Sequence, residues 1–283
     1  MLLPPFFVGR MGEPETLVLA VWCFLSFSFV SSAVCVLNDL LDVEHDRRHP
    51  QKRNRPLARG DVPLWVAWAL VILLVAGGVA LACRAQFSGA GLLLLCLYFL
   101  MNVAYSVRLK HAPIVDIFIL ASGFVFRVFY GGCYFAVPIS SWLFLCVFSA
   151  ALFFATGKRK RELAASAAVG GETRPVLRRY NYEFLNLHYY LFCALTVVFY
   201  CLWTISRTDQ HAVGKLALTI PVMIFIVIRY NYLLEVGDSD GDPVPTLLHD
   251  RPLVLASVLF VMMNAAILYA GEYLPRIIYY VAN

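Results

Sequence analysis

Apolar runs of about 20 residues recur along the whole chain, and this recurrence decides most of what it can fold into. At 1.5 Å of rise per residue, a helix of that length crosses the hydrocarbon core of a bilayer. Eight such runs are read, at about 16–37, 62–83, 87–106, 114–137, 140–156, 186–206, 214–235 and 253–271. None alternates with the period of two that a strand of a transmembrane barrel would show. The expectation is an all-α, polytopic transmembrane helical bundle with eight full spans. Only 14% of the 283 residues are charged, where a soluble domain carries about 25%. No long-period repeat divides the chain, so residues 1–283 are read as a single transmembrane domain. Residues 1–15 lack the basic n-region of a signal peptide and could be the tail of a further, truncated N-terminal span.

Charge sets the orientation. Of the 23 Lys and Arg, sixteen fall in the loops after the odd-numbered spans and five on the other side. Arg127 and Arg229 lie inside or near the end of a span. The expected location is the plasma (inner) membrane, multi-pass; loops rich in Lys and Arg stay in the cytoplasm, so the long polar loops and the active site are expected to face it. One polar face and short external links argue against a transporter with two vestibules. No nucleic acid partner is expected.

The densest polar feature is N-D-L-L-D-V-E-H-D, residues 38–46, followed by R-R-H-P-Q-K-R-N-R-P-L-A-R-G. Asp39, Asp42 and Asp46 are spaced i, i+3, i+7, which places them on one face of a helix. Three carboxylates there repel each other unless a cation sits among them. Hard oxygen ligands suit Mg²⁺, which takes part of its shell from a substrate's phosphates. Asn38 is a neighbouring donor or ligand. Lys52, Arg53 and Arg55 are placed to hold the remaining phosphate charge.

Other loops add to this. Tyr105, Ser106 and Lys110, in Y-S-V-R-L-K-H, could project donors toward a phosphate. Asp116 and Arg127 lie within the next span, where charge is costly and needs a partner. They are three turns and roughly 16 Å apart, too far to pair directly, so an anionic ligand between them is favoured. G-K-R-K-R-E supplies Lys158 and Arg159 as phosphate ligands and Glu162 as a second metal ligand or sugar-hydroxyl acceptor. Arg229, Asp250 and Arg251 stand at a membrane boundary and could close over a substrate. Asp238 to Asp242 form D-x-D-x-D without the later Glu of a calcium loop, and are read as an acidic lid or plain hairpin. The eight cysteines form no C-x-x-C pair and are read as small buried hydrophobes. The six histidines show no zinc spacing.

N-D-x-x-D-x-x-x-D at a cytoplasmic helix end, with Y-S-x-x-L-K one hairpin later, resembles the UbiA superfamily of membrane prenyltransferases. The resemblance implies a UbiA-type helical bundle that uses Mg²⁺ to bind a diphosphate. Within the superfamily, the Asp-rich stretch, G-K-R-K-R-E-L and the closing G-D-P … L-L-H-D-R-P-L are similar to the branch that moves phosphoribose from phosphoribosyl diphosphate (PRPP) to decaprenyl or other polyprenyl phosphates, an early step toward cell-wall arabinan. Val244 and Pro245 stand where that branch carries Thr and Glu, so no acid is carried over there. Typical prenyltransferases have a second D-x-x-x-D motif, and a cationic cluster in its place suits a substrate with an additional phosphate.

The resemblance therefore implies a phosphoribosyltransferase in which Asp39, Asp42 and Asp46 hold Mg²⁺ and serve as the catalytic residues. The alternative is a UbiA-type transfer of a polyprenyl group from its diphosphate to an aromatic acceptor. Gly131 and Gly132 are read as a helix-packing or homo-oligomer contact.

Overall fold

The computed structural model describes residues 1–48, 52–85, 88–169, 176–206, 215–236 and 243–282. The helices are α1 (Leu3–Phe7), α2 (Pro14–Leu41), α3 (Val43–Arg48), α4 (Pro56–Arg59), α5 (Leu64–Ala85), α6 (Gly89–Val107), α7 (Val115–Tyr134), α8 (Ser141–Val169), α9 (Tyr182–Ile205), α10 (Ile220–Val236), α11 (Pro243–His249) and α12 (Arg251–Ala282). No strand occurs among the described residues. Among the described residues eight helices are long and apolar enough to cross a membrane, at Pro14–Leu41, Leu64–Arg84, Gly89–Val107, Val115–Tyr134, Ser141–Ser166, Tyr182–Ile205, Leu216–Val236 and Arg251–Tyr269. These are the eight expected spans, and the chain is a multi-pass integral membrane protein. Two boundaries differ from expectation. α8 continues to Val169, so G-K-R-K-R-E is helical and opens no loop, and α12 runs on to Ala282.

The chain forms two compact units. The first is built on Met1–Pro5 and Met11–Pro138. In it α2 buries Ala20, Cys23, Phe27, Val30, Ala33, Leu37 and Leu40, steps of three and four that make one helical stripe. α5 comes close because it is bare at the contact: a Cβ on Gly78 would lie 2.7 Å from Val30 and 2.8 Å from the Ser26 carbonyl. Small residues drive helix pairing in lipid by admitting such approaches. Tyrosine hydroxyls buried here find partners, as they must without water. Tyr130 meets the Ser26 hydroxyl at 2.6 Å, and Tyr134 donates to the Ala82 carbonyl at 2.8 Å. Gly131 and Gly132 are both buried in this unit.

The second unit is built on Phe6–Arg10, Ile139–Thr173 and Leu177–Asn283. α8 and α9 pack lengthwise around Phe153, Tyr189, Tyr230, Leu234 and Leu253. A second cluster at Leu143, Tyr200, Trp203 and Leu216 includes Phe7, whose ring meets Trp203 edge-on at 4.6 Å.

All eight cysteines are free. Cys23 is buried as expected, but Cys35, Cys83 and Cys96 are exposed on spanning helices. A thiol is apolar enough that facing lipid costs it little.

Candidate active site

α2 does not carry its three aspartates on one unbroken helix. It ends at Leu41; Asp42 is its C-cap at φ −96° and ψ 1°, and α3 starts at Val43. Asp39, Asp42 and Asp46 are gathered instead by cations. Arg55 Nη1 donates to Asp39 Oδ1 at 2.7 Å and to Asp46 Oδ2 at 2.8 Å. Lys110, in the short 3₁₀ turn after α6, pairs with Asp42. Lys52 Nζ lies 4.0 Å from Asp46 Oδ1.

The local sequence explains how Arg55 reaches this position. Pro56 holds Arg55 extended, at φ −64° and ψ 142°, and occupies the first turn of α4. Gly60 ends α4 after one turn at φ +88°, a conformation that favours glycine. Arg47 Nε donates to the Ala58 carbonyl at 3.2 Å, which ties α4 to α3. R-P-L-A-R-G is thus a compact corner that delivers one guanidinium to two carboxylates. Arg53 on the same corner is exposed, and Asn38 is half-buried one residue before Asp39.

Asp46 is 1% exposed, and its Oδ1 is a buried oxygen with no hydrogen-bond partner. A buried carboxylate oxygen without a donor is costly. Asp39 and Asp42 bring further carboxylate oxygens near it, the hard donor type that divalent cations favour. Among the described residues no group of three His, Cys, Asp or Glu is placed to hold a metal ion. The carboxylates are held by Arg55 and Lys110.

Arg127 is held by aromatic rings and a backbone carbonyl. Its guanidinium stands over the rings of Phe27, Tyr98 and Phe124 at 5.5, 5.8 and 5.3 Å, and Nη1 donates to the Gly123 carbonyl at 3.2 Å. Aromatic faces stabilise a cation where water is scarce. Asp116 is fully buried in the first turn of α7, where a helix N-terminus favours negative charge. Tyr105 is half-buried in the last turn of α6.

In the second unit, two expected ligands meet each other. Arg159, 1% exposed, donates from Nη1 to Glu162 Oε2 at 2.7 Å, one turn along α8. Lys158 is half-buried. The following residue, Lys160, points into the core and is 2% exposed. It pairs with Glu235, donates to Asn186 Oδ1 at 2.6 Å, and lies 5.0 to 5.4 Å from the Tyr182, Tyr189 and Tyr190 rings. Tyr189 donates to Asn231 Oδ1 at 2.5 Å. Asn186, Tyr189, Asn231 and Glu235 escaped the sequence reading. Their signal was polar side chains at helical spacing within spans, which lipid penalises unless they are paired.

Arg229 and Asp250 form a two-pronged pair, Nε to Oδ1 at 3.1 Å and Nη2 to Oδ2 at 2.7 Å. Asp250 Oδ1 also accepts the Leu253 N–H at 2.9 Å, which caps α12. The Arg229 hydrogen bond holds the Asp250 carboxyl below the usual carboxylate range. Arg251 is exposed at the first position of α12. Asp238 to Asp242 lie outside the described residues.

The fold and site define an all-helical, multi-pass membrane protein with a cluster of carboxylates and cations at one helix end. The UbiA prenyltransferase family matches residues 2–244, and the chain belongs to that family. It is 32% identical to a decaprenyl-phosphate phosphoribosyltransferase of Mycobacterium tuberculosis, over 89% of this chain and 82% of that protein. Against the protein of the same name from Mycolicibacterium smegmatis the identity is 32%, over 87% of this chain and 79% of the relative. A structure of a UbiA homolog from Archaeoglobus fulgidus bound to DMAPP and Mg²⁺ matches with a TM-score of 0.69 at 19% identity, covering 93% of this chain and 91% of that one.

Proposed function

We propose that this chain transfers the 5-phosphoribosyl group of PRPP to decaprenyl phosphate or a related polyprenyl phosphate, releasing diphosphate. The reaction uses Mg²⁺ and takes place at the cytoplasmic face of the plasma (inner) membrane. The observation that carries the proposal is the match over most of both chains to proteins named for that activity. The excess of Lys and Arg after odd-numbered spans supports the orientation.

Asp39, Asp42 and Asp46 would hold the metal, with Asn38 beside them, because the orphaned Asp46 oxygen and its neighbours suit it. When bound, it neutralises charge on the departing diphosphate. The chain's own cations do the rest. Lys52, Arg53 and Arg55 clamp the diphosphate. Among the second unit's side chains, Lys158 and Arg159 are the candidates for the 5-phosphate and Glu162 for a sugar hydroxyl, once the Arg159–Glu162 pair opens. Tyr105, Lys110 and Arg127 hold the donor or the acceptor phosphate. Arg229 and Arg251 close over the substrate, and Asp116 is a further substrate-binding residue. An acceptor phosphate oxygen bonds to C1 as the C1–O bond to diphosphate breaks, and diphosphate leaves with the electron pair. Positive charge builds on the ribosyl carbon, as in other glycosyl transfers. The acceptor is already an anion, so positioning and electrostatics supply the rate without a strong base.

The test uses purified protein in detergent with Mg²⁺, radiolabelled PRPP and decaprenyl phosphate. The expected result is label in the organic phase, lost in Asp39→Asn. Consumption of a prenyl diphosphate with an aromatic acceptor, and no use of PRPP, would replace this reading with prenyl transfer.

A further inference from the structure

Every aspartate of the proposed metal site already has a cation from the chain itself. Asp39 and Asp46 share Arg55, Asp42 has Lys110, and Lys52 stands 4.0 Å from Asp46. Three carboxylates against three cations leave the cluster close to neutral. Arg55 serves both carboxylates through Nη1 alone, so its Nε and Nη2 donate to no described residue. The side chains of Arg55 and Lys110 are 38% and 18% exposed, so an incoming anion can reach them.

From this arrangement we propose that Arg55 and Lys110 are exchangeable counter-ions of the metal-binding carboxylates, and that they make metal and diphosphate bind as one unit. A metal arriving alone displaces both cations and leaves them without partners beside a new double charge. Diphosphate arriving alone meets carboxylates that still hold the cations it needs. When both arrive, the metal takes the carboxylates and the released guanidinium and ammonium take phosphate oxygens. Each ion pair is replaced by another, and no charge is left uncompensated. Asp46 Oδ1, which accepts no hydrogen bond and has only Lys52 at 4.0 Å, is the oxygen ready to accept the metal first. The proposal rests on reading these aspartates as the metal–diphosphate site, but not on which group is transferred.

The coupling is measured with Mn²⁺ and inorganic diphosphate on the full chain in detergent. Protein-bound Mn²⁺ is read by electron paramagnetic resonance, after correction for Mn²⁺–diphosphate complexes in solution. Diphosphate should tighten Mn²⁺ binding to the wild type about tenfold or more, within the usual range of coupling between sites. Arg55→Gln and Lys110→Gln should each bind Mn²⁺ alone more tightly than the wild type, and diphosphate should then add less. Equal or weaker binding of Mn²⁺ alone in both variants would overturn the proposal. So would a wild type that binds Mn²⁺ equally with and without diphosphate, an arm that needs no variant to fold. Coupling that persists in a protein with no phosphoribosyl transfer would remove the proposed reaction and leave the exchange standing. Transfer without any Mn²⁺ binding would do the reverse.

Discussion

The ring of Tyr189 occupies the space where a Cβ on Gly157 would fall, with Cε2 only 2.9 Å from that position. The ring cannot easily give way. It stacks on Phe153 with centroids 4.8 Å apart and donates from its hydroxyl to Asn231. Gly157 is also the residue immediately before the cationic turn of α8. Gly157→Ala should therefore cost about 1–3 kcal/mol by overpacking and lower the melting temperature in detergent. A wild-type melting temperature would show that α9 can shift at no cost.

Lys160 is held by a carboxylate, an amide and three tyrosine rings while almost fully buried. Lys160 is buried but Glu235 is exposed. Removing the carboxylate therefore strands a buried ammonium, at a cost of about 3–5 kcal/mol, while removing the lysine strands only an exposed carboxylate. Glu235→Leu should lower thermal stability strongly, and Lys160→Met less. The double variant should recover much of the Glu235→Leu loss, because it leaves no buried charge unpaired. A double variant whose loss equals the sum of the single ones would show that the two residues do not act together.

Asp39 and Asp46 share one guanidinium but differ in burial, 37% against 2% side-chain exposure. Both Asp→Asn variants should lose transfer. Asp46→Asn should also destabilise the fold by about 1–3 kcal/mol, because its buried hydrogen bonding is disturbed. Asp39→Asn should cost under about 1 kcal/mol, as for an exposed pair. Thermal melts of the two variants, compared with their label transfer, separate catalytic from structural loss.

The spans were legible because lipid demands long apolar helices, and nothing in a distant contact alters that requirement. The Asp-rich site was legible for a similar reason, since clustered charge in an apolar chain needs a cause. The break at Asp42 was not legible, because i, i+3, i+7 spacing looks the same whether one helix continues or a second begins at Val43. The length of α8 is not legible either, because Lys, Arg and Glu end the apolar run yet are good helix formers that carry the helix on to Val169. The partners of Arg127 and Lys160 depended on aromatic rings from other helices, which hydropathy registers only as apolar residues.

The Arg229–Asp250 pair predicts a pH dependence with a definite sign. Arg229 donates to the ionised carboxylate, so the folded Asp250 binds its proton less readily than the unfolded one, whose ordinary value is about 3.9. The stabilisation is fully present above that unfolded value and is lost as pH falls through the lower folded one. The stability difference between wild type and Asp250→Asn should therefore stay constant from about pH 8 to pH 5 and shrink below about pH 4. Asp250→Ala should lose about 1 kcal/mol more than Asp250→Asn at every pH, because it also removes the cap on the Leu253 N–H, which Asn retains. Unfolding measured across this range would count against the pair if the wild-type advantage grew on acidification.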